Sequence, residues 1–161
     1  MVLPWLLVAC TPSVGPDDPS SSGDTGLRAC NGHVELCDRP FDQVTLPGTH
    51  NSMSSADAGW QIPNQQHGLT RQLEDGVRAM MLDTYWWNDE PYLCHGYCEL
   101  GAQPLDEGLG EIVTFLDAHP DEVILLLFED YVSVAETVAV MDTVGLSDLA
   151  YADEPAAGAW P

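Results

Sequence analysis

The stretch that most limits what this chain can become is Glu122 to Asp130, EVILLLFED. Its apolar run from Val123 to Phe128 is unbroken by any polar residue. Such a run reads as a strand buried on both faces, the kind found in parallel sheets. The flanking segments agree. In PLDEGLGEIVTFLDAH (104–119), Leu105, Leu109, Ile112, Val113 and Leu116 fall on one face at helical spacing. Pro104 can open that helix and Pro120 follows its end. Ser133 to Val144 is a second helix with Ser133 as its cap. Upstream, Val44 to Leu46 is a short strand. LTRQLED (69–75) is a short helix stopped by Gly76, and VRAMMLDTY (77–85) is a strand. Asn88 to Pro91 makes a turn, and Tyr92 to Cys94 is a short return strand. Strands alternating with helices mean a parallel β/α architecture. No internal repeat at solenoid periods competes with it.

The polar residues fall at consistent places. His50 follows the first strand, Asp83 lies near the end of the second, His95 ends the return strand and Glu129 ends the third. β/α barrels and open α/β sheets build their sites at the C-terminal ends of strands. Four such placements point to one common rim.

Charge narrows the partners. The 161 residues carry 26 acidic residues against four arginines and no lysine, a formal charge of -22. Nucleic acid is excluded as a partner, because phosphate backbones require basic patches. Electrostatic docking on anionic lipid is disfavoured for the same reason. Most of the carboxylates read as a solvated surface. An anionic substrate would need a local cation to offset this field.

The N-terminus, MVLPWLLVACTPS, has an apolar run too short to span a bilayer. It resembles the end of a secretory signal. Leu7-Val8-Ala9-Cys10 has the form of a bacterial lipoprotein box, with Cys10 as the lipidated first residue of the mature chain. Residues 1–10 are therefore expected to be a signal segment. Residues 11–29, rich in Pro, Ser, Gly and Asp, are expected to be a tether unable to bury a core. The protein would be exported and lipid-anchored to a bacterial membrane, periplasmic or at the cell surface. Removing Cys10 leaves Cys30, Cys37, Cys94 and Cys98. An even number in an exported chain suggests disulfides, and the local pairing Cys30–Cys37 and Cys94–Cys98 is the most economical of three. A zinc site enclosing His95 is the competitor, although neither pair has finger spacing.

LPGTHNSM (46–53) carries more than a turn requires, since Pro47-Gly48 alone would turn the chain. His50 and Asn51 stand side by side just past a strand. Thr49 and Ser52 read as turn hydrogen-bonders rather than nucleophiles. His33, His67 and His119 read as structural or solvated. Arg78 reads either as a phosphate contact or as half of a structural ion pair. It lies five residues from Asp83, an odd offset that puts it on the opposite strand face, so the ion pair is favoured. Trp86 and Trp87 fit a lipid-contacting rim or simple packing equally well.

LPGTHNSM, GVRAMMLDTY, EPYLCHG and VILLLFED, in this order and with similar gaps, resemble the phosphatidylinositol-specific phospholipase C X-domain family. The resemblance runs from about Cys37 to Trp160. It implies a distorted TIM-type (β/α) barrel that cleaves a phosphodiester with two histidines. His50 would match the general base and His95 the general acid. Asn51, Asp83 and Glu129 would match the metal ligands of the calcium-dependent branch, so Ca2+ is the implied cofactor and a phospholipid or other phosphodiester the substrate. Met81 stands where that branch has a carboxylate, which removes one possible ligand. Physical chemistry is compatible with these roles. Histidine suits proton transfer near neutrality, and hard oxygen donors favour calcium.

A β/α barrel takes about 250 residues, and about 130 remain from Cys30 onward. The chain is therefore expected to carry the N-terminal half of such a domain over 30–161. The alternative function is an exported, inactive module that binds calcium or a surface partner.

Overall fold

The computed structural model describes residues 6–9, as backbone, and residues 28–151. Among them are six strands: β1 (Leu6–Ala9), β2 (Gly48–Thr49), β3 (Ala79–Trp87), β4 (Glu90–Cys94), β5 (Ala102–Pro104) and β6 (Val123–Asp130). They form one mixed, curled sheet. Four helices accompany it: α1 (Leu69–Glu74), α2 (Leu105–Ala118), α3 (Val134–Val144) and α4 (Leu146–Leu149).

The centre is the parallel pair of β3 and β6, in register from Ala79↔Leu125 to Thr84↔Asp130. β1 runs antiparallel along the outer edge of β6. The other edge of β3 is shared. β2 runs parallel to its start (Gly48↔Ala79, Thr49↔Met80), and β4 runs antiparallel to its end (Thr84↔Leu93 through Trp87↔Glu90). β5 borders β4.

Alternation sets the two faces of the sheet. Met80, Leu82, Ile124, Leu126 and Phe128 point one way and are buried with Leu73, Leu109, Ile112, Leu116, Met141 and Leu146 of the helices. Fully burying each such side chain contributes roughly 1.5–3 kcal/mol, so this face holds the domain together. Local signals end the helices where the packing needs them to end. Asp106 and Glu107 lie in the first turn of α2, where the helix dipole favours negative charge. Ser133 and Glu136 form a reciprocal capping box on α3. Gly145, at φ 82°, closes α3 in the left-handed conformation that suits glycine.

Several expectations are corrected. Val44–Leu46 is not a strand. A 3-10 turn occupies Phe41–Gln43, and pairing begins at Gly48. The backbone that reaches β3 is the segment after Pro47, whose carbonyl accepts from the N–H groups of Arg78 and Ala79. β6 is not buried on both faces. Val123, Leu125 and Leu127 are only half-buried and Glu129 is exposed. The reason is that the helical core described above lies entirely on the other face. β5 and α4 were not anticipated. Both are too short to carry a periodicity of their own.

Leu6–Ala9, within the segment read as an export signal, lies beside Val123–Leu126 as β1. Cys10, expected to be lipidated, and positions 11–27 of the expected tether lie outside the described residues, as do 152–161. Among the described residues no helix is long and apolar enough to cross a membrane.

At the start of β3, Arg78 is buried and donates from Nε to Glu122 Oε2 at 2.6 Å. Its Nη1 donates to the Leu73 and Val77 carbonyls, and its guanidinium lies 4.8 Å from the Phe115 ring centroid. Glu122 also accepts from Gly32 N, and Asn31 Oδ1 accepts from Val123 N. The loop closed by the Cys30–Cys37 disulfide is thereby pinned to the foot of β6. Of the two roles considered for Arg78, the structure gives it the ion pair. The phosphate contact is corrected, because the side chain is spent at the opposite end of the strand from Asp83. Both expected disulfides are formed, which closes the zinc reading. Arg78→Met leaves Glu122 charged, buried and short of a partner, and should cost about 3–5 kcal/mol in urea denaturation. A loss below about 1 kcal/mol would show that the pair is not a foundation of the fold.

Candidate active site

β2 ends at Thr49 and the chain turns at once. Asn51 takes a φ of 50°, a left-handed conformation that asparagine tolerates better than most residues. Ser52 N then donates to the Met81 carbonyl at 2.8 Å. The turn thus docks on the stretch of β3 that lies between its partners β2 and β4. β4 approaches from the opposite direction. Its Leu93 pairs with Thr84, Cys94 follows, and His95 comes next. His50 and Asn51 therefore arrive from one end of β3 and His95 from the other. On the far edge the parallel register sets Glu129 directly beside Asp83. These two carboxylates lie on the face that carries no helices.

Asp83 is the hub. It is 2 % exposed, and its Oδ1 has no hydrogen-bond partner. Burial pushes its pKa up to about 6, the neighbouring Glu129 carboxylate adds to the rise, and His95 and His50 oppose it. Glu129, His95 and His50 thus all lie within electrostatic reach of Asp83. Asn51 is 1 % exposed, and its Nδ2 is also without a partner. Native proteins seldom leave buried polar atoms unpaired, and such atoms mark strain, function or a missing ligand. The side-chain amide can turn end for end, so it offers an oxygen as readily as a nitrogen. Asp83, Glu129 and Asn51 therefore fit a hard cation in donor type. The fit is sparse, because among the described residues no three His, Cys, Asp or Glu are grouped to hold a metal. Met81 lies two residues before Asp83 on the same face and supplies no oxygen.

The structure identifies supporting residues that sequence reasoning missed. Gln72 of α1 is buried, and its amide is fully used. Nε2 donates to the Ser52 and His67 carbonyls, each at 2.7 Å, and Oε1 accepts from Thr49 Oγ1 at 2.7 Å. It clamps both ends of the turn that presents His50 and Asn51. Gln65 Nε2 holds the His50 carbonyl at 2.7 Å. Thr49 and Ser52 hydroxyls bond each other at 2.8 Å, in keeping with a turn-forming role. Tyr131 donates to Glu129 Oε1 at 2.6 Å and stacks on Tyr85 with ring centroids 4.5 Å apart. The bond to Glu129 raises the Tyr131 phenol above its usual pKa and keeps it a donor. On the helical face, Asp130 accepts from Thr84 and Thr137, tying β3 to α3.

Beside His95 opens a groove of about 510 Å³, lined by Trp60, Ile62, Pro63, Tyr97 and Leu100 among others. Ile62 is 83 % exposed and Tyr97 72 %. Trp86 is half-exposed, whereas Trp87 packs edge-on to Tyr92 at 5.1 Å between ring centroids, so only the first fits a solvent-facing rim. The remaining histidines lie elsewhere. His67 pairs with Asp57 at 2.7 Å, His119 packs on Phe115 at the end of α2, and His33 lies 3.9 Å from Glu35.

The family model described as PI-PLC X 1 matches residues 36–161. An uncharacterized secreted protein of Arthroderma benhamiae is 34% identical over 130 residues, covering 79% of this chain and 29% of that protein. PI-PLC X domain-containing protein 1 of the same organism is 33% identical over 139 residues, covering 82% of this chain and 45% of its own length. A PI-PLC X domain-containing protein of Arabidopsis thaliana is 38% identical over 106 residues, covering 58% and 25%. The chain spans less than half the length of these relatives. No solved structure matches it.

Two outcomes are expected from this geometry. The Asp83 carboxyl holds its proton to about pH 6 in the folded chain, against 3.8 ordinarily. Ionisation is therefore harder in the native state, and stability falls as pH rises from about 4 to about 6. Asp83→Asn removes that penalty. Without divalent cations its stability advantage should open over this interval, reach at most about 3 kcal/mol, and stay level above it. Urea midpoints of both proteins across that range test this, and a constant gap would refute the shift. Gln72→Leu leaves the Ser52 and His67 carbonyls and the Thr49 hydroxyl without their partner. It should cost at least about 2 kcal/mol and speed amide exchange at Ser52. Unchanged exchange there would mean that the clamp is dispensable.

Proposed function

This chain belongs to the phosphatidylinositol-specific phospholipase C X-domain family, and on that premise we propose that it cleaves a phosphodiester of the phosphoinositide-lipid type by general base and acid catalysis. His50 takes the proton of an attacking hydroxyl, and His95 gives a proton to the leaving alkoxide. The curled sheet is read as the N-terminal half of a TIM-type barrel. The observation that carries the proposal is the arrival of two histidines, from opposite directions, at one buried carboxylate.

The charge balance supports a metal. Two carboxylates beside a phosphodiester would repel it. No arginine is at hand to compensate. Arg28 pairs with Asp121, Arg71 with Asp75 and Arg78 with Glu122, while Arg39 lines a separate pocket with Glu122 and Val123. These are all the arginines in a chain without lysine. Asn51, Asp83 and Glu129 would hold the cation, and calcium accepts such oxygen donors. When bound, calcium supplies positive charge against the phosphoryl oxygens. The chain's own part is to hold Asp83 out of water, to orient Glu129 through Tyr131, and to keep the two histidines apart on either side of the hub. The apolar groove beside His95 suits the leaving side of a lipid substrate.

Two disulfides support an exported location. Attachment to a bacterial membrane through Cys10 belongs to the same proposal. It would remove residues 1–9, and β1 with them.

Met81 favours a second reading, in which the chain is an inactive exported module that binds calcium or a surface partner. Release of inositol phosphates from phosphatidylinositol vesicles, with and without chelator, separates the two. His50→Ala and His95→Ala should each lower turnover by about 10²–10⁴-fold, and chelation should lower it too. Turnover equal in wild type and both variants sinks the catalytic assignment. Calcium binding by calorimetry without turnover selects the second reading.

A further inference from the structure

His50 and His95 are held by different means. The turn carrying His50 is fixed by side chains and backbone. Gln65 bonds its carbonyl, Gln72 clamps Ser52, Ser52 N bonds Met81 O, and Ser54 N bonds Asn51 O at 2.9 Å. The frame around His95 is sparser. Sheet pairing of β4 stops at Cys94↔Ala102. His95, Gly96 and Tyr97 are then exposed, and their backbone bonds are few: Tyr97 N to His95 O at 2.8 Å, Leu100 N to Tyr97 O at 2.9 Å, and Gly96 to the Tyr85 hydroxyl. Among the described residues nothing hydrogen-bonds the His95 ring.

What holds the segment is sulfur. Cys94 and Cys98 are both buried in the apolar core, and their disulfide closes a ring around the three exposed residues. Gly96, at φ 73°, lets the chain reverse inside so small a ring. Beyond Cys98 a 3-10 turn leads to Gly101, where a side chain would run into the Trp60 indole, so the exit of the ring is packed as well.

We propose that the Cys94–Cys98 disulfide is the positioning element of His95, holding the imidazole over Asp83 by a covalent ring where His50 is held by hydrogen bonds. It rests on the reading of His95 as the general acid. It adds that the competence of the site depends on oxidation of this pair. A dithiol reductant would reverse it. Two electrons and two protons pass to the S–S bond, two thiols form, and the reductant becomes its own disulfide.

The test compares Cys94→Ala/Cys98→Ala with Cys30→Ala/Cys37→Ala in the full chain. Both remove one disulfide, but the second lies at the foot of the sheet. The chain has five histidines, few enough to resolve their ring signals by NMR. In the first variant the His95 ring signals should shift and broaden while those of His50 stay. In the second, the signals of both His50 and His95 should hold, and only those of His33, inside the opened loop, should move. On phosphatidylinositol vesicles the first variant should lose about 10²-fold in kcat with KM little changed, and the second should keep its kcat. A dithiol added to the second variant should reproduce the behaviour of the first and reverse on reoxidation. Unmoved His95 signals in the first variant, or equal changes in both variants, overturn the proposal. If His50→Ala turns over like wild type, the phosphodiesterase reading fails by itself, and the ring signals still decide the positioning.

Discussion

Two carboxylates held side by side set the terms for the rest of this structure. The parallel register of β3 and β6 aligns Asp83 with Glu129, and neither can step away without shifting a strand pairing that runs from Ala79 to Thr84. A one-residue slip would turn Met80, Leu82, Ile124 and Leu126 out of the core. The hydrophobic face therefore enforces the electrostatic strain on the other face. The fold bears a buried carboxylate without a partner because burial of the helical face outweighs its cost. Sites that bind ions or turn over substrates commonly carry this kind of local instability.

Around that pair the structure distributes its polar support unevenly. The few basic groups are spent at the foot of the sheet, on Asp121, Glu122 and Asp75. The rim is left with histidines, an amide and phenols, which hold and move protons but bring no permanent positive charge. On the proposed reading, a cation supplied from outside would offset the charge of an anionic substrate there.

Much of the architecture was legible because it is written in local signals. α2 has its apolar stripe and flanking prolines, α3 has its Ser133 cap, and β6 has its apolar run, so each was found within a residue or two. β2 was misplaced because a two-residue strand has no pattern of its own. The carbonyl of Pro47 and the edge of β3 decide where it begins. β6 was misjudged for a different reason. Apolar residues on both sides of a strand record what the sequence could bury, and the structure determines what lies against each side. Of the candidate site, His50, Asp83, His95 and Glu129 stood out by their places near strand ends and Asn51 by its place beside His50, while their roles came from the family resemblance. Gln72, Tyr85 and Tyr131 could not. Gln72 reads as an ordinary surface position of a short amphipathic helix, and nothing nearby in sequence reveals that its amide meets Thr49 and Ser52.

By itself the sequence determined the alternation of the longer strands and helices, the shortage of cations and the residues able to do proton chemistry. Those follow from composition and from contacts within one turn or one strand. Only the tertiary structure decided that β2 takes the same edge of β3 as the return strand β4, so that His50 and His95 arrive from opposite ends. Only it committed Arg78 to Glu122 and left Asp83 unpaired beside Glu129. These are outcomes of register and of approach between segments 30 to 50 residues apart, and no local pattern along the chain encodes such distances.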